Sequence, residues 1–170
     1  MRLLLDTHAL LWWHDQPARL TETAYGALSD LGNDVWLSVV NGWEIQIKVQ
    51  LGKLTLPKPL RVLLQEEQAM NGFRVLPVTL EHVYALDSFP LHHRDPFDRL
   101  LIAQAHQEGL TVVTHDPKFS AYSIPVLWGR VTDVHFTVSH RQSKLIAIDK
   151  QPDDDVMHLG RSGIADRLAG

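Results

Sequence analysis

No cysteine occurs among the 170 residues of this chain, which excludes disulfides, thiolate metal sites and cysteine nucleophiles. A basic excess is lacking too. Sixteen Lys and Arg stand against 20 Asp and Glu, for a formal charge of -4. No net positive field draws the whole chain to nucleic acid, so any such contact must rest on a local patch. No apolar run reaches the roughly 20 residues that a bilayer crossing needs. Asp6 cuts the opening Leu3-Leu4-Leu5 run before it can serve as the core of a signal peptide, and a cytoplasmic location is the expectation. There is no G-x-S-x-G elbow for a serine hydrolase, and no glycine loop for a P-loop or a dinucleotide site. Ten histidines are present, but no pair on one predicted helix has the H-x-x-x-H metal spacing. Most are expected to be structural or superficial, with His8 and His115 as exceptions because they flank acids.

What is present is the composition of an ordinary globular protein, 45% hydrophobic and 21% charged. The length suits one domain with a short appendage. Leu3 to Leu5 is a short unalternating run, as in a strand buried on both faces. A helical stretch follows through Leu10, Leu11 and Trp12. Trp12 and Trp13 are adjacent on it and cannot face one way, so one of them is expected at a partner surface. Thr21 and Glu22 open a second helix ending near Gly32. Val35 to Leu37 is the next strand, and Ser38 caps a helix carrying Trp43, Glu44, Ile45 and Ile47, with Gly52 closing it. A helix from Leu60 to Met70, a strand from Arg74 to Val78 and a short helix from Leu80 to Leu86 come next. Asp95-Pro96 is a strong helix start, and Gly109 ends that helix. Leu110 to Val113 and Ile124 to Leu127 complete five strands. Strands alternating with helices predict an α/β domain with a largely parallel sheet. Beyond Arg130 the composition shifts. A possible strand at Lys144 to Ile148, the acidic run Asp153 to Asp155 and a rough helical pattern at Ile164 to Leu168 are read as a weakly ordered extension over 130–170. The domain proper is then 1–129.

Four acids sit where an open α/β sheet gathers its functional groups, beyond the carboxyl ends of the strands. Asp6 follows the first strand and Asp116 the fourth. Glu44 lies in the helix after the second strand, and Asp98 in the first turn of the helix before the fourth. If the first and fourth strands are neighbours, the four converge. Their repulsion would then raise their own pKa values unless a cation compensated, and hard oxygen ligands suit Mg²⁺ or Mn²⁺. Each acid also has a plainer reading. Asp6 could cap the next helix, Glu44 could pair with Lys48 at i,i+4, and Asp116 could start a turn before Pro117. For Asp95, capping is the favoured role.

At these residues the sequence resembles the PIN-domain family, in particular the VapC-like toxins of type II toxin–antitoxin systems. The resemblance is carried by Leu3-Leu4-Leu5-Asp6-Thr7-His8-Ala9-Leu10 and by Ser38 to Leu54 with its Trp43-Glu44-Ile45. His93-Arg94-Asp95-Pro96-Phe97-Asp98-Arg99 is the most specific match, and Thr114-His115-Asp116 backed by Phe119 is the last. It covers residues 1 to about 129. It implies a three-layer sandwich around a mostly parallel five-stranded sheet of order 3-2-1-4-5. It also implies Mg²⁺- or Mn²⁺-dependent RNA hydrolysis to 5′-phosphate and 3′-hydroxyl ends, and an antitoxin protein as partner, with a homodimer a further possibility. Asp6, Glu44, Asp98 and Asp116 are the acids expected at the metal. Asp95, Thr114, Arg94 and Arg99 are candidate auxiliaries, the two arginines as phosphate contacts. Asn41 stands where similar sequences more often carry serine. The alternative class is a catalytically degenerate module on the same fold that binds RNA or protein.

Overall fold

The computed structural model describes residues 1–129. The features expected over 130–170 lie outside the described residues. Strands β1 (Arg2–Leu5), β2 (Asp34–Ser38), β3 (Arg74–Leu76), β4 (Thr111–Val113) and β5 (Val126–Leu127) form one sheet of order β3-β2-β1-β4-β5. All four pairings are parallel. Helices α1 (Thr7–Asp15), α2 (Glu22–Ser29), α3 (Val39–Gln50), α4 (Leu60–Asn71), α5 (Leu80–Ala85) and α6 (Pro96–Glu108) connect the strands. None of these helices is long and apolar enough to cross a membrane.

Register explains the two cores. Leu3 pairs with Val35, and Leu5 with Val113. These residues share one face, where they meet Ala9 to Trp12 of α1 and Ala24 and Leu28 of α2. Leu4 pairs with Val112. That pair faces the other way, against Leu101, Ile102 and Ala105 of α6, with Phe119 and Tyr122. A central strand buried on both sides has no polar face to alternate with, which is why Leu3, Leu4 and Leu5 are all fully buried.

The helix starts follow local chemistry. Thr21 Oγ1 accepts from the amide of Ala24, and Ser38 Oγ from that of Val40. Asp95 Oδ1 accepts from the amide of Phe97, with Pro96 in the first turn where its missing N–H costs nothing. Gly109 ends α6 at φ 63°, a left-handed conformation that a side chain would strain.

Several element ends differ from expectation. β3 stops at Leu76, because Pro77 has no amide for the ladder, and β5 begins only after Pro125. α2 ends at Ser29. Neither member of the α1 tryptophan pair is fully exposed. Trp12 joins the core. The Trp13 ring lies 5.5 Å from Tyr25 and 5.7 Å from Phe73, and its Nε1 donates to Glu67 at 3.0 Å. Elements packed on both sides of α1 occupy both directions. The exposed tryptophan is Trp43, at 55%.

Candidate active site

The β1–β4 pairing builds the site. Leu5 lies opposite Val113, so both chains emerge side by side and deliver Asp6 and Thr114 together. The Asp6 amide still bonds to the Val113 carbonyl at 3.1 Å. Asp6 Oδ1 accepts from the His8 amide at 2.9 Å and caps α1. Its Oδ2 accepts from Thr114 Oγ1 at 2.6 Å. Thr114 Oγ1 also accepts from the Asp116 amide at 3.1 Å, so one hydroxyl ties two of the acids together. Burial pushes the Asp6 carboxyl up, but hydrogen bonding and the nearby charge of His8, with the Thr114 hydroxyl, outweigh it and hold the carboxyl below its ordinary range.

Glu44 reaches the site from α3. It is buried. Thr7 Oγ1 donates to its Oε2 at 2.5 Å, and Lys48 Nζ pairs with its Oε1 at 2.8 Å. Thr7 is itself held by Asn41 Nδ2 at 3.0 Å, which also donates to the Leu5 carbonyl at 3.1 Å. Asn41 Oδ1 accepts from the Ser38 amide at 2.8 Å. Asn41 thus joins the end of β1 to the start of α3, a span a serine hydroxyl is too short to bridge in the same way.

Asp98 shows what gathering these acids costs. Its carboxyl is pushed up to about 8, first by burial and then by the charges of Asp95, Asp6, Glu44 and Asp116. The four expected acids therefore lie within one another's field, with Asp95 beside them. Lys48 answers Glu44, and among the described residues no comparable ion pair answers Asp98. A divalent cation would remove the penalty, and the oxygen donors fit Mg²⁺ or Mn²⁺.

Histidine enters the site as well. His93 Nε2 lies 3.3 Å from Asp116 Oδ2. Its other ring nitrogen lies 3.2 Å from the Tyr122 hydroxyl, and its amide donates to that hydroxyl at 2.8 Å. His93, Asp98 and Asp116 bring potential ligand atoms within 4.8 Å of one another. Sequence reasoning passed over His93 as a structural histidine. Its only signal was its position just ahead of Arg94-Asp95-Pro96. Asp6, His8 and His115 form a second such group.

The auxiliaries separate. Arg99 is spent on backbone, donating to the carbonyls of Pro90 at 3.0 Å, Leu86 at 3.1 Å and Phe89 at 3.5 Å. It pins the loop ahead of α6 and is not free for a phosphate. Arg94 is exposed on that loop. Thr114 holds Asp6, and Asp95 caps α6. The plainer readings of Asp6, Glu44 and Asp116 also hold, since Asp116 Oδ1 accepts from the Lys118 amide at 2.8 Å. Capping and convergence are compatible, because a cap uses one oxygen of each aspartate.

Residues 3–125 match the PIN domain family model. Over 125 residues the chain is 27% identical to ribonuclease VapC22 of Mycobacterium tuberculosis, covering 72% of this chain and 93% of that protein. Its fold is similar to that of VapBC2 from Rickettsia felis bound to a promoter DNA fragment, with a TM-score of 0.57 and 16% identity over 76% of this chain and 100% of that one. It is also similar to FitAcB from Neisseria gonorrhoeae, with a TM-score of 0.51 and 25% identity over 73% of this chain and 95% of that one. With its sheet order, its converging acids and a family match over most of its length, this chain belongs to the PIN-domain family.

Proposed function

We propose that the chain is a divalent-metal-dependent endoribonuclease that hydrolyses RNA phosphodiester bonds, and the toxin of a toxin–antitoxin pair. The observation that carries the chemistry is the burial of Asp98 within the field of Asp95, Asp6, Glu44 and Asp116, which together push its carboxyl up to about 8. A binding module has no use for such a repulsive cluster. A metal site does, because the cation turns the repulsion into affinity. Mg²⁺ or Mn²⁺ held there would supply Lewis-acid activation of water and neutralise charge building on the phosphoryl oxygens. The chain's own residues keep the acids aimed. Thr114 fixes Asp6, Thr7 fixes Glu44 and His93 fixes Asp116, the role that outer hydrogen bonds play around metal ligands. Arg94, exposed at the approach to α6, is the phosphate contact. The RNA and antitoxin parts of the reading draw support from the motif resemblance to VapC-like toxins and from the relative named as a ribonuclease.

The test is incubation of the purified chain with a panel of structured RNAs in Mg²⁺, Mn²⁺ or EDTA. Cleavage is expected with either metal and not after chelation. Asp6→Asn should lower it by orders of magnitude while leaving the fold intact. Cleavage that survives exhaustive chelation, or an Asp6→Asn rate equal to wild type, refutes the mechanism. Production of the wild-type chain alone should slow growth, and co-production of the small protein encoded beside it should restore growth. A folded, abundant and harmless chain would refute the toxin reading.

A further inference from the structure

A histidine pair adjoins the carboxylate pocket on the side of Asp6. His8 stands two residues after Asp6 in the first turn of α1, and His115 lies between Thr114 and Asp116. The β1–β4 register that sets Asp6 beside Thr114 sets these two rings together as well, at 5.5 Å between centroids and nearly edge-on. Asp6, His8 and His115 each bring a potential ligand atom within 4.8 Å of the others. His8 Nδ1 lies 3.8 Å from Asp6 Oδ1.

We infer that Asp6, His8 and His115 form a second cation position, sharing Asp6 with the carboxylate pocket, that takes a late first-row divalent metal such as Co²⁺, Ni²⁺ or Zn²⁺ in preference to Mg²⁺. Two imidazole nitrogens and one carboxylate are a donor set for borderline metals, whereas Mg²⁺ selects oxygen and keeps its water. The separations are wider than the roughly 3 Å expected between adjacent donors at bond lengths near 2.1 Å. Rotation of the two imidazole rings would close that gap. The His8 side chain is 35% exposed, and His115 is exposed.

The surroundings suit a metal site. Thr114 fixes the far oxygen of Asp6 at 2.6 Å, so this ligand is already oriented. Trp12 packs 4.7 Å from His115 and 5.9 Å from His8. Trp128 lies 6.0 Å from His115. Together the indoles wall one side of the pair. Three protein ligands with an exposed histidine leave positions open to water or to a substrate oxygen, as in a catalytic site and unlike a closed structural one.

The test uses the full chain without an affinity tag, stripped of metal and titrated with Co²⁺ under visible absorption. Calorimetry with Mg²⁺ runs in parallel. Wild type should show an intense Co²⁺ band and more equivalents of Co²⁺ than of Mg²⁺. His8→Ala and His115→Ala should each lose that band, with at least about a tenfold loss of affinity for one equivalent, while Mg²⁺ binding persists. His115 is exposed, so its variant should keep the fold. Equal Co²⁺ stoichiometry and spectra in wild type and both variants would overturn the inference, as would equal numbers of Co²⁺ and Mg²⁺ in wild type. The readout is metal binding, so a chain inert towards RNA could still pass, and an active ribonuclease could fail.

Discussion

Asp98→Asn should make the metal-free protein more stable at neutral pH while destroying the site. The wild-type carboxyl is raised from 3.8 to about 8. Between those values the native state keeps a proton that the unfolded chain has released, so stability falls as pH rises through the window. At about 1.4 kcal/mol per pH unit, the penalty at pH 7 approaches roughly 4 kcal/mol. Water reaching this partly buried group trims it to about 2–3 kcal/mol. Asparagine has nearly the same shape and does not titrate, so the variant escapes the penalty. Urea unfolding in EDTA at pH 4, 5, 6, 7 and 8 reads the effect directly. The two proteins should be nearly equal at pH 4 and diverge steadily to pH 8. At pH 7 the variant midpoint should be higher by about 1–2 M urea. Adding Mg²⁺ should raise the wild-type midpoint by linkage and leave the variant largely unmoved. A difference that does not depend on pH, or an asparagine variant weaker than wild type at pH 8, would refute the electrostatic account.

Three further outcomes follow from the geometry. Thr7→Val removes the hydroxyl that donates to Glu44 and should lower metal affinity about 10- to 100-fold, read by Mg²⁺ titration of the folded variant. Arg99→Ala releases three carbonyls and should cost about 1–3 kcal/mol of stability; because the guanidinium is engaged by loop carbonyls, the salt dependence of RNA binding should stay at the wild-type slope. A chain ending at Arg130 should unfold cooperatively and retain cleavage, because the described residues 1–129 already form two cores and carry all four acids; a broad, non-cooperative transition would show that 130–170 belongs to the folded unit.

The fold was readable because its signals are local and agree with one another. Leu3-Leu4-Leu5 ending in Asp6 announces a strand buried on both faces, and Ser38 and Asp95-Pro96 announce helix starts. The bringing together of Asp6, Glu44, Asp98 and Asp116 followed from strand adjacency, which the motif resemblance supplied. Long-range partners were not legible. Nothing in the spacing says that Asn41 reaches Thr7 and through it Glu44, or that Tyr122 and Asp116 hold His93 between them. Arg99 misled because an arginine one residue after a site acid looks free until the loop it anchors is seen. The surroundings of the tryptophan pair were not legible for a related reason. Helix periodicity gives the angle between Trp12 and Trp13, but not how many elements surround α1.

Asp6, Asp95 and Asp116 each spend one oxygen on the amide two residues ahead. Asparagine and serine serve that position about as well as aspartate, whereas alanine forfeits about 1 kcal/mol. A single-base change from an Asp to an Asn codon would therefore remove a carboxylate charge and leave the helix or turn start satisfied. Descendants of such a chain could shed their chemistry in one mutational step without passing through an unstable intermediate. Within this architecture, inactive copies that keep the surface and lose the reaction should be easy to reach, and available for recruitment as binders.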